Sequence, residues 1–306
     1  MYIKRSQKIM SAITDKLRHL YFCTLTLISP KLNTKAKFKK TYGRPVDLEN
    51  PKSFNEKGMY LKLNYYNKSD FVKKCADKYA VREYIKEKGC ESILNDLIAV
   101  YDRVDDIDFA TLPDAFVIKW NFGCGYNLVC PDKSKLDIEA AKKKLKKWGR
   151  KKFHLHFSEM QYKIKNKKLI VEKFLKPQNG NLPDDYKIYC FNGKAKYVMV
   201  CQERDSGETK CYFFDRDWNL ARINERGKEA PEGFTLEKPV NMDEMFEYAE
   251  KLSENIPFVR VDFFSCDGKT VFGEMTFTPA GYLDPNYLPE TEKLFGDMID
   301  INNVKI

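Results

Sequence analysis

Residues 259–277 read VRVDFFSCDGKTVFGEMTF, and two runs within it, VRVDFF (Val259 to Phe264) and VFGEMTF (Val271 to Phe277), decide how the chain is read. Both alternate as strands do. In the first, Val259, Val261 and Phe263 fall on one face and Arg260, Asp262 and Phe264 on the other. In the second, Glu274 and Thr276 share a face opposite Met275 and Phe277. Asp267-Gly268 between them is a two-residue hairpin signal. If the strands pair about it, one sheet face presents Arg260, Asp262, Glu274 and Thr276 together. Two carboxylates and a hydroxyl beside an Arg offer hard oxygen ligands to magnesium and a fixed cation to a phosphoryl group. An ion-pair ladder on an exposed sheet face uses the same residues. Both readings stand at this level, although a ladder gives no reason for strands this apolar to hold the charges.

Further upstream, FVIKWNFGCGYNLVC (116–130) sets Lys119 at a strand end before a loop with Gly123 and Gly125. Such a segment can bring an ammonium and flexible backbone amides to phosphates. It is neither a Walker A loop nor GxGxxG, and a plain turn explains it as well. LIVEKFL (169–175) is an apolar strand with one acid, Glu172, which must face a cavity or find a partner because a buried unpaired carboxylate is costly. It suits either hydrogen bonds to an adenine or ribose, or pairing with a Lys on an edge strand.

Elsewhere the pattern is that of an α+β chain with antiparallel hairpins in its later half. Residues 1–75 read as helical, broken at Pro30, Gly43-Arg44-Pro45 and Asn50-Pro51. Ser53 and Glu56 have the spacing of a capping box, and Asp77 is placed to cap a helix that Gly89 ends. Ile98–Tyr101, Phe116–Lys119 and Asn127–Cys130 read as strands, and Ile138–Trp148 as a Lys-rich helix. Tyr186–Val200 is a hairpin about Asn192-Gly193, and Met242–Leu252 a helix; the segment between them reads as loop-rich.

With 306 residues, 43% hydrophobic and 32% charged, the chain has the balance of a folded protein. The net charge of +10 favours anionic partners. Its Lys clusters, such as Lys142–Lys147, lack any zinc-finger, RRM or basic-zipper pattern, and no nucleic-acid partner is expected. Nine scattered Cys without a CxxC pair point to reduced thiols in a cytoplasm rather than a disulfide framework. His154 and His156 lack the nearby thiolates or carboxylates that a metal would want. The apolar run Leu20–Ser29 is too short to span a bilayer, and a signal peptide is not expected. It reads as a helix packed on the body or, more sharply, as a basic surface helix touching anionic lipid from the cytoplasmic side.

Taken in order, strand-Lys-glycine loop, apolar-Glu strand, then RVD and GExT strands, the chain resembles the ATP-grasp superfamily, and more closely its TupA-like branch of bacterial surface-polysaccharide biosynthesis. NPKSFNEK, DKYAVREYI, LPDAFVIKWNFGCG, LIVEKFL, DDYKIYCFNGK, PFVRVDFF and VFGEMTFTPAGY carry the resemblance across about residues 45–285. It implies two α+β subdomains clasping ATP, about 94–170 and 171–285 within a domain spanning 76–306, after a helical region 1–75. It implies that Lys119 contacts ATP phosphates, that the Gly123–Gly125 loop closes over them, and that Glu172, Lys173, Phe174 and Leu175 form the adenine hinge. Asp185 or Lys187 would lie near ribose or phosphates; Asp262 and Glu274, with Thr276 as the third ligand, would bind Mg2+. Arg260 would steady the transferred phosphoryl group, acting catalytically with Lys119.

The activity implied is that of a carboxylate–amine ligase working through an acyl phosphate. Its partners would be an acidic sugar or precursor and an amine, either an amino acid or an amino sugar. Arg204 and Arg222 are candidate acceptor contacts by position. Two departures stand out: Glu274-Met275-Thr276 replaces the usual Glu-x-Asn, and the glycine loop is thin and ringed by Trp120, Phe122 and Tyr126. A sugar kinase with the same site, and a non-catalytic basic module for anionic polymer or membrane, are the competing readings.

Overall fold

The computed structural model describes residues 2–176, 183–202, 209–302 and 304, with side chains described from Thr14 onward. Arg204 lies outside these residues.

Two antiparallel sheets make the frame. The first has four strands, β1 (Leu97–Tyr101), β2 (Phe116–Trp120), β3 (Asn127–Cys130) and β4 (Leu169–Lys173), in the order β1-β4-β2-β3. Its alternation is clean: Phe116, Ile118, Trp120, Leu169 and Val171 are buried against Ala141 and Leu145 of helix α6 (Ile138–Gly149). That leaves Val117, Lys119, Ile170 and Glu172 for the other face. The sequence-based boundary between residues 170 and 171 therefore cuts β4, whose strand neighbours are β1 and β2; the first sheet ends at Lys173. Of the two readings of Glu172, the pairing with a Lys is present, but on an interior strand and not an edge strand.

Six strands form the second sheet, β10-β9-β5-β6-β7-β8: β5 (Asp185–Phe191), β6 (Lys194–Gln202), β7 (Lys210–Asp215), β8 (Leu220–Ala221), β9 (Phe258–Cys266) and β10 (Lys269–Thr276). Val259, Val261 and Phe263 are fully buried, as are Met245, Phe246, Ala249 and Leu252 of helix α9 (Met242–Leu252), which packs there. Truncating Phe246 to Ala would cost about 3–5 kcal/mol at such a site. The stretch expected to be loop-rich contains β7, β8 and a short helix, Glu225–Glu229. Tyr212, Phe213 and Phe214 make β7 a buried strand, its alternation hidden by three consecutive aromatics.

The β9–β10 turn at Asp267 (φ 51°) and Gly268 (φ 72°) has the positive angles that a two-residue hairpin demands. From that turn, strict pairing would set Gly273 opposite Asp262 and send Glu274 to the core face. A bulge between Phe272 and Glu274 shifts the register by one, so that Glu274 faces Asp262, Met275 faces Val261 and Thr276 faces Arg260. Gly273 is the extra residue, and a Cβ there would sit 2.9 Å from the Asp262 carbonyl oxygen.

Helices α1 (Tyr2–Ile28), α2 (Pro30–Tyr42), α3 (Phe54–Leu61), α4 (Asp70–Ala76) and α5 (Val81–Glu87) precede the sheets. Ser53 and Glu56 cap α3 reciprocally: the Glu56 amide donates to Ser53 Oγ and the Ser53 amide to Glu56 Oε2, both at 3.3 Å. Between α4 and α5, Asp77 Oδ1 accepts the amides of Tyr79 (2.8 Å) and Ala80 (3.1 Å). Its Oδ2 accepts from Asn121 Nδ2 (2.7 Å), tying this turn to the end of β2.

Candidate active site

A cleft lies between the four-stranded sheet and strand β10 of the six-stranded one. Lys78, Arg82, Lys119, Ile170 and Glu172 line it from one side, Phe272 and Gly273 from the other.

On the six-stranded wall, register alone gathers the charges: Lys187 is opposite Asp262 across β5–β9, and Asp262 opposite Glu274 across β9–β10. Arg260 donates to Asp262 in a fork, Nε to Oδ1 and Nη2 to Oδ2, both at 2.7 Å. Lys187 Nζ donates to Asp262 Oδ2 at 3.1 Å and to Asp185 on its own strand. Burial raises the Asp262 carboxyl, with Arg260 and then Lys187 opposing. Burial works to lower both cations, but Asp262 turns each upward. Arg260, Asp262 and Lys187 are thus brought together; Thr276 is buried beside them and accepts from Arg260 Nη2 at 3.3 Å.

Glu274 is held differently. Its Oε1 accepts from Thr276 Oγ1 at 3.0 Å and lies 3.8 Å from Arg260 Nη2; its Oε2 is 3.7 Å from Lys78 Nζ. The side chain stays 32% exposed. Burial pushes its carboxyl up, but Lys78 first, then Arg260 and Lys187, hold it down to about 2. This carboxylate is charged, oriented by a hydroxyl, and open on one side. The Thr276 hydroxyl thereby serves Glu274 as a hydrogen-bond donor.

Across the cleft, Lys119 Nζ donates to Glu172 Oε2 at 2.7 Å, and Arg82 Nη1 to Glu172 Oε1 at 3.4 Å. Lys173 points away to Asp96 at 3.3 Å, while Phe174 and Leu175 follow the strand, half-buried. Gly123 (φ 67°) and Gly125 (φ 77°) carry the loop between β2 and β3. Lys78 Nζ donates to the Gly123 carbonyl at 2.5 Å, so one ammonium joins the loop to Glu274. Trp120 and Phe122 are core residues, Trp120 Nε1 donating to the Leu145 carbonyl at 3.0 Å. Tyr126 lies edge-on to Phe153 beside the loop.

Lys78 and Arg82 escape a reading of the sequence. Lys78 sits in the turn between α4 and α5 and Arg82 in α5, stretches where a cation signals nothing by itself; the one cue is Asp77, whose turn aims Lys78 at the β2 loop. Arg222 belongs elsewhere: its guanidinium donates to the carbonyls of Gly227 (2.9 Å), Ala230 (2.6 Å) and Pro231 (2.9 Å), closing a turn rather than facing an acceptor. His156 meets His19 and Cys23 instead of His154. Its ring stacks on that of His19 at 4.7 Å, and Lys37 Nζ lies 3.1 Å from its Nε2, an arrangement of packing and hydrogen bonding that sets an ammonium where a cation would have to enter.

A family model described as TupA-like ATPgrasp matches residues 57–300. No curated protein matches the chain. Similar solved structures include the D-alanine–D-alanine ligase from Bacillus anthracis complexed with ATP, at 16% identity and a TM-score of 0.47, covering 74% of this chain and 64% of that one. The D-alanine–D-alanine ligase from Helicobacter pylori matches at 12% identity and a TM-score of 0.42, with 80% and 66% covered. The ADP complex of purK, N5-carboxyaminoimidazole ribonucleotide synthetase, matches at 14% and 0.40, with 76% and 52% covered. The chain therefore spans less than two thirds of the length of these proteins.

Proposed function

This chain belongs to the TupA-like ATP-grasp family, whose members use ATP and Mg2+, and from that premise we propose that it is a carboxylate–amine ligase. Its substrates in this reading are an acidic sugar or precursor and an amine, used in the cytoplasm for cell-surface polysaccharide. The observation that carries the reading is an open, ionised Glu274 beside Lys78 and Arg260, with Lys119 and Arg82 held on Glu172 nearby. That donor set fits a magnesium nucleotide, with hard carboxylate oxygens for the ion and ammonium and guanidinium groups for phosphates.

When bound, ATP supplies the γ-phosphoryl group and Mg2+ offsets phosphate charge. Glu274 would hold the ion, with Asp262 fixing Arg260 and Lys187 behind it; Lys119, Lys78 and the Gly123–Gly125 amides would hold phosphates. The buried Asp262 fork fixes the Arg260 guanidinium, so it reaches a transferring phosphoryl group without reorganising. An acceptor carboxylate oxygen then attacks the γ-phosphorus and ADP leaves. The amine attacks the resulting acyl carbon, gives up a proton, and expels phosphate. The +10 charge of the chain suits an acidic acceptor.

The test combines enzyme, ATP, Mg2+ and candidate uronic acids with and without an amine. ADP release coupled to amide formation, and dependent on the amine, is the expected result. A stable phosphate ester formed without amine would make it a kinase; no Mg2+-dependent ATP binding in calorimetry would make it a binding module.

A further inference from the structure

The positive surplus of this chain is confined to one place. Residues 1–44 hold eleven Lys and Arg against a single acid, Asp15, while residues 45–306 hold 43 basic and 43 acidic side chains. The net charge of +10 therefore lies on residues 1–44, the α1–α2 hairpin and the turn after it, ahead of the 57–300 stretch that defines the family.

The hairpin is firmly seated. Thr26 Oγ1 donates to the Leu155 carbonyl (2.6 Å) and bonds Ser158 Oγ (2.7 Å); Asn33 Nδ2 donates to the Phe22 carbonyl (2.7 Å). The Lys37 ammonium lies over the Phe22 and Phe157 rings, 3.9 and 4.2 Å from their centroids. Phe22 and Thr26 thus define the packed side of α1. Opposite them, at helical spacing, Leu17, Leu20, Tyr21 and Ile28 are 55–68% exposed. Leu27 at 72% and Leu32 at 47% carry the apolar surface around to α2. Lys16 and Arg18 flank the stripe about 100° to either side, following the rotation per residue. On α2 the exposed lysines recur as Lys31, Lys35 and Lys39.

An apolar stripe rimmed by cations on a fixed helix has two candidate occupants. A second copy would bring two surfaces of like charge together, with Asp15 as the one acid on the hairpin to balance its lysines. An anionic lipid surface instead takes the leucines at the acyl boundary and the lysines at its headgroups. No helix among the described residues is long and apolar enough to cross a membrane, so the geometry is that of a helix lying on the surface. We infer that the α1–α2 hairpin docks this protein on an anionic membrane surface, with α1 in the interfacial plane. This holds whether or not the ligase reading does, because the docking face is separate from the cleft.

The experiment is flotation of the full chain with vesicles of phosphatidylcholine alone or with 30% phosphatidylglycerol, the latter also at 0.5 M NaCl. The variants are Leu20→Glu/Leu27→Glu and Lys31→Glu/Lys35→Glu. Docking predicts binding to the anionic vesicles alone, reduced about tenfold by salt and by each variant, as expected for combined electrostatic and interfacial binding. All four leucine and lysine positions are exposed, so folding should be retained, which circular dichroism checks. The proposal is overturned by absence of binding at low salt, by binding the leucine variant leaves intact, or by light scattering that shows a dimer the leucine variant dissociates.

Discussion

The two sheets bring charge to the cleft in different ways. On the four-stranded sheet, Glu172 stands between Lys119 at 2.7 Å and Arg82 at 3.4 Å. On the six-stranded sheet, Asp262 stands between the Arg260 fork, two bonds of 2.7 Å, and Lys187 at 3.1 Å. Both acids are buried and bracketed by two cations. The second wall adds Glu274, a carboxylate with looser cations and a third of its side chain in solvent. A saturated acid fixes cations in place; an open acid can still receive one. Position on the sheet alone does not separate the roles, since Asp262 and Glu274 are direct cross-strand neighbours.

The largest effect expected from this contrast is on stability. Asp262→Asn strands Arg260 and Lys187 without their shared counter-charge and should cost about 3–5 kcal/mol in urea unfolding. Glu172→Gln, with better-solvated partners, should cost about 1–3 kcal/mol. Equal losses from the two would erase the distinction between the walls. Next comes turnover: Glu274→Gln should lower it about 10²–10³-fold, with a smaller loss of stability than Asp262→Asn because a third of the Glu274 side chain is in solvent. Should Glu274→Gln instead destabilise as much as Asp262→Asn, Glu274 would be one more structural ion-pair member.

Smaller again is the effect of single phosphate-side cations. Lys119→Met and Lys78→Met should each weaken ATP binding about tenfold by calorimetry, as expected for one charge-assisted contact. A loss at Lys119 with none at Lys78 would confine phosphate binding to the four-stranded wall. The smallest effect is in pH. The folded Glu274 carboxyl, held down to about 2, lies below the ordinary 4.5, so its ion pairs stabilise the fold above pH 4.5. That contribution is lost as pH falls from 4.5 towards 2. The stability difference between wild type and Glu274→Gln should accordingly shrink over that interval, and a constant difference would contradict the assigned cations.

Much of this was legible in the sequence because the local chemistry was unambiguous. Ser53 with Glu56, Asn192-Gly193 and Asp267-Gly268 each signal one structure, and β3 and α9 begin and end where their patterns do. The strand β7 was not legible, because an aromatic on both faces hides the alternation. Lys78 and Arg82 were hidden for another reason. A Lys in a turn or an Arg in a helix acquires meaning only when tertiary packing sets Glu274 or Glu172 beside it, and no spacing rule carries that information. Arg260, Asp262 and Glu274 stand out because charge in apolar strands is conspicuous by itself, although spacing alone leaves an ion-pair ladder equally open and the resemblance supplies their roles.

Gly273 bears on how tolerant this hairpin is to change. Counting from the turn, the strand loses step by one residue at Gly273 and regains it at Glu274. Removing residue 273 would restore an unbroken ladder that still seats the glutamate across from Asp262. Giving that residue a side chain would drive a carbon against the Asp262 carbonyl. At this point of the cleft wall, length is more negotiable than volume.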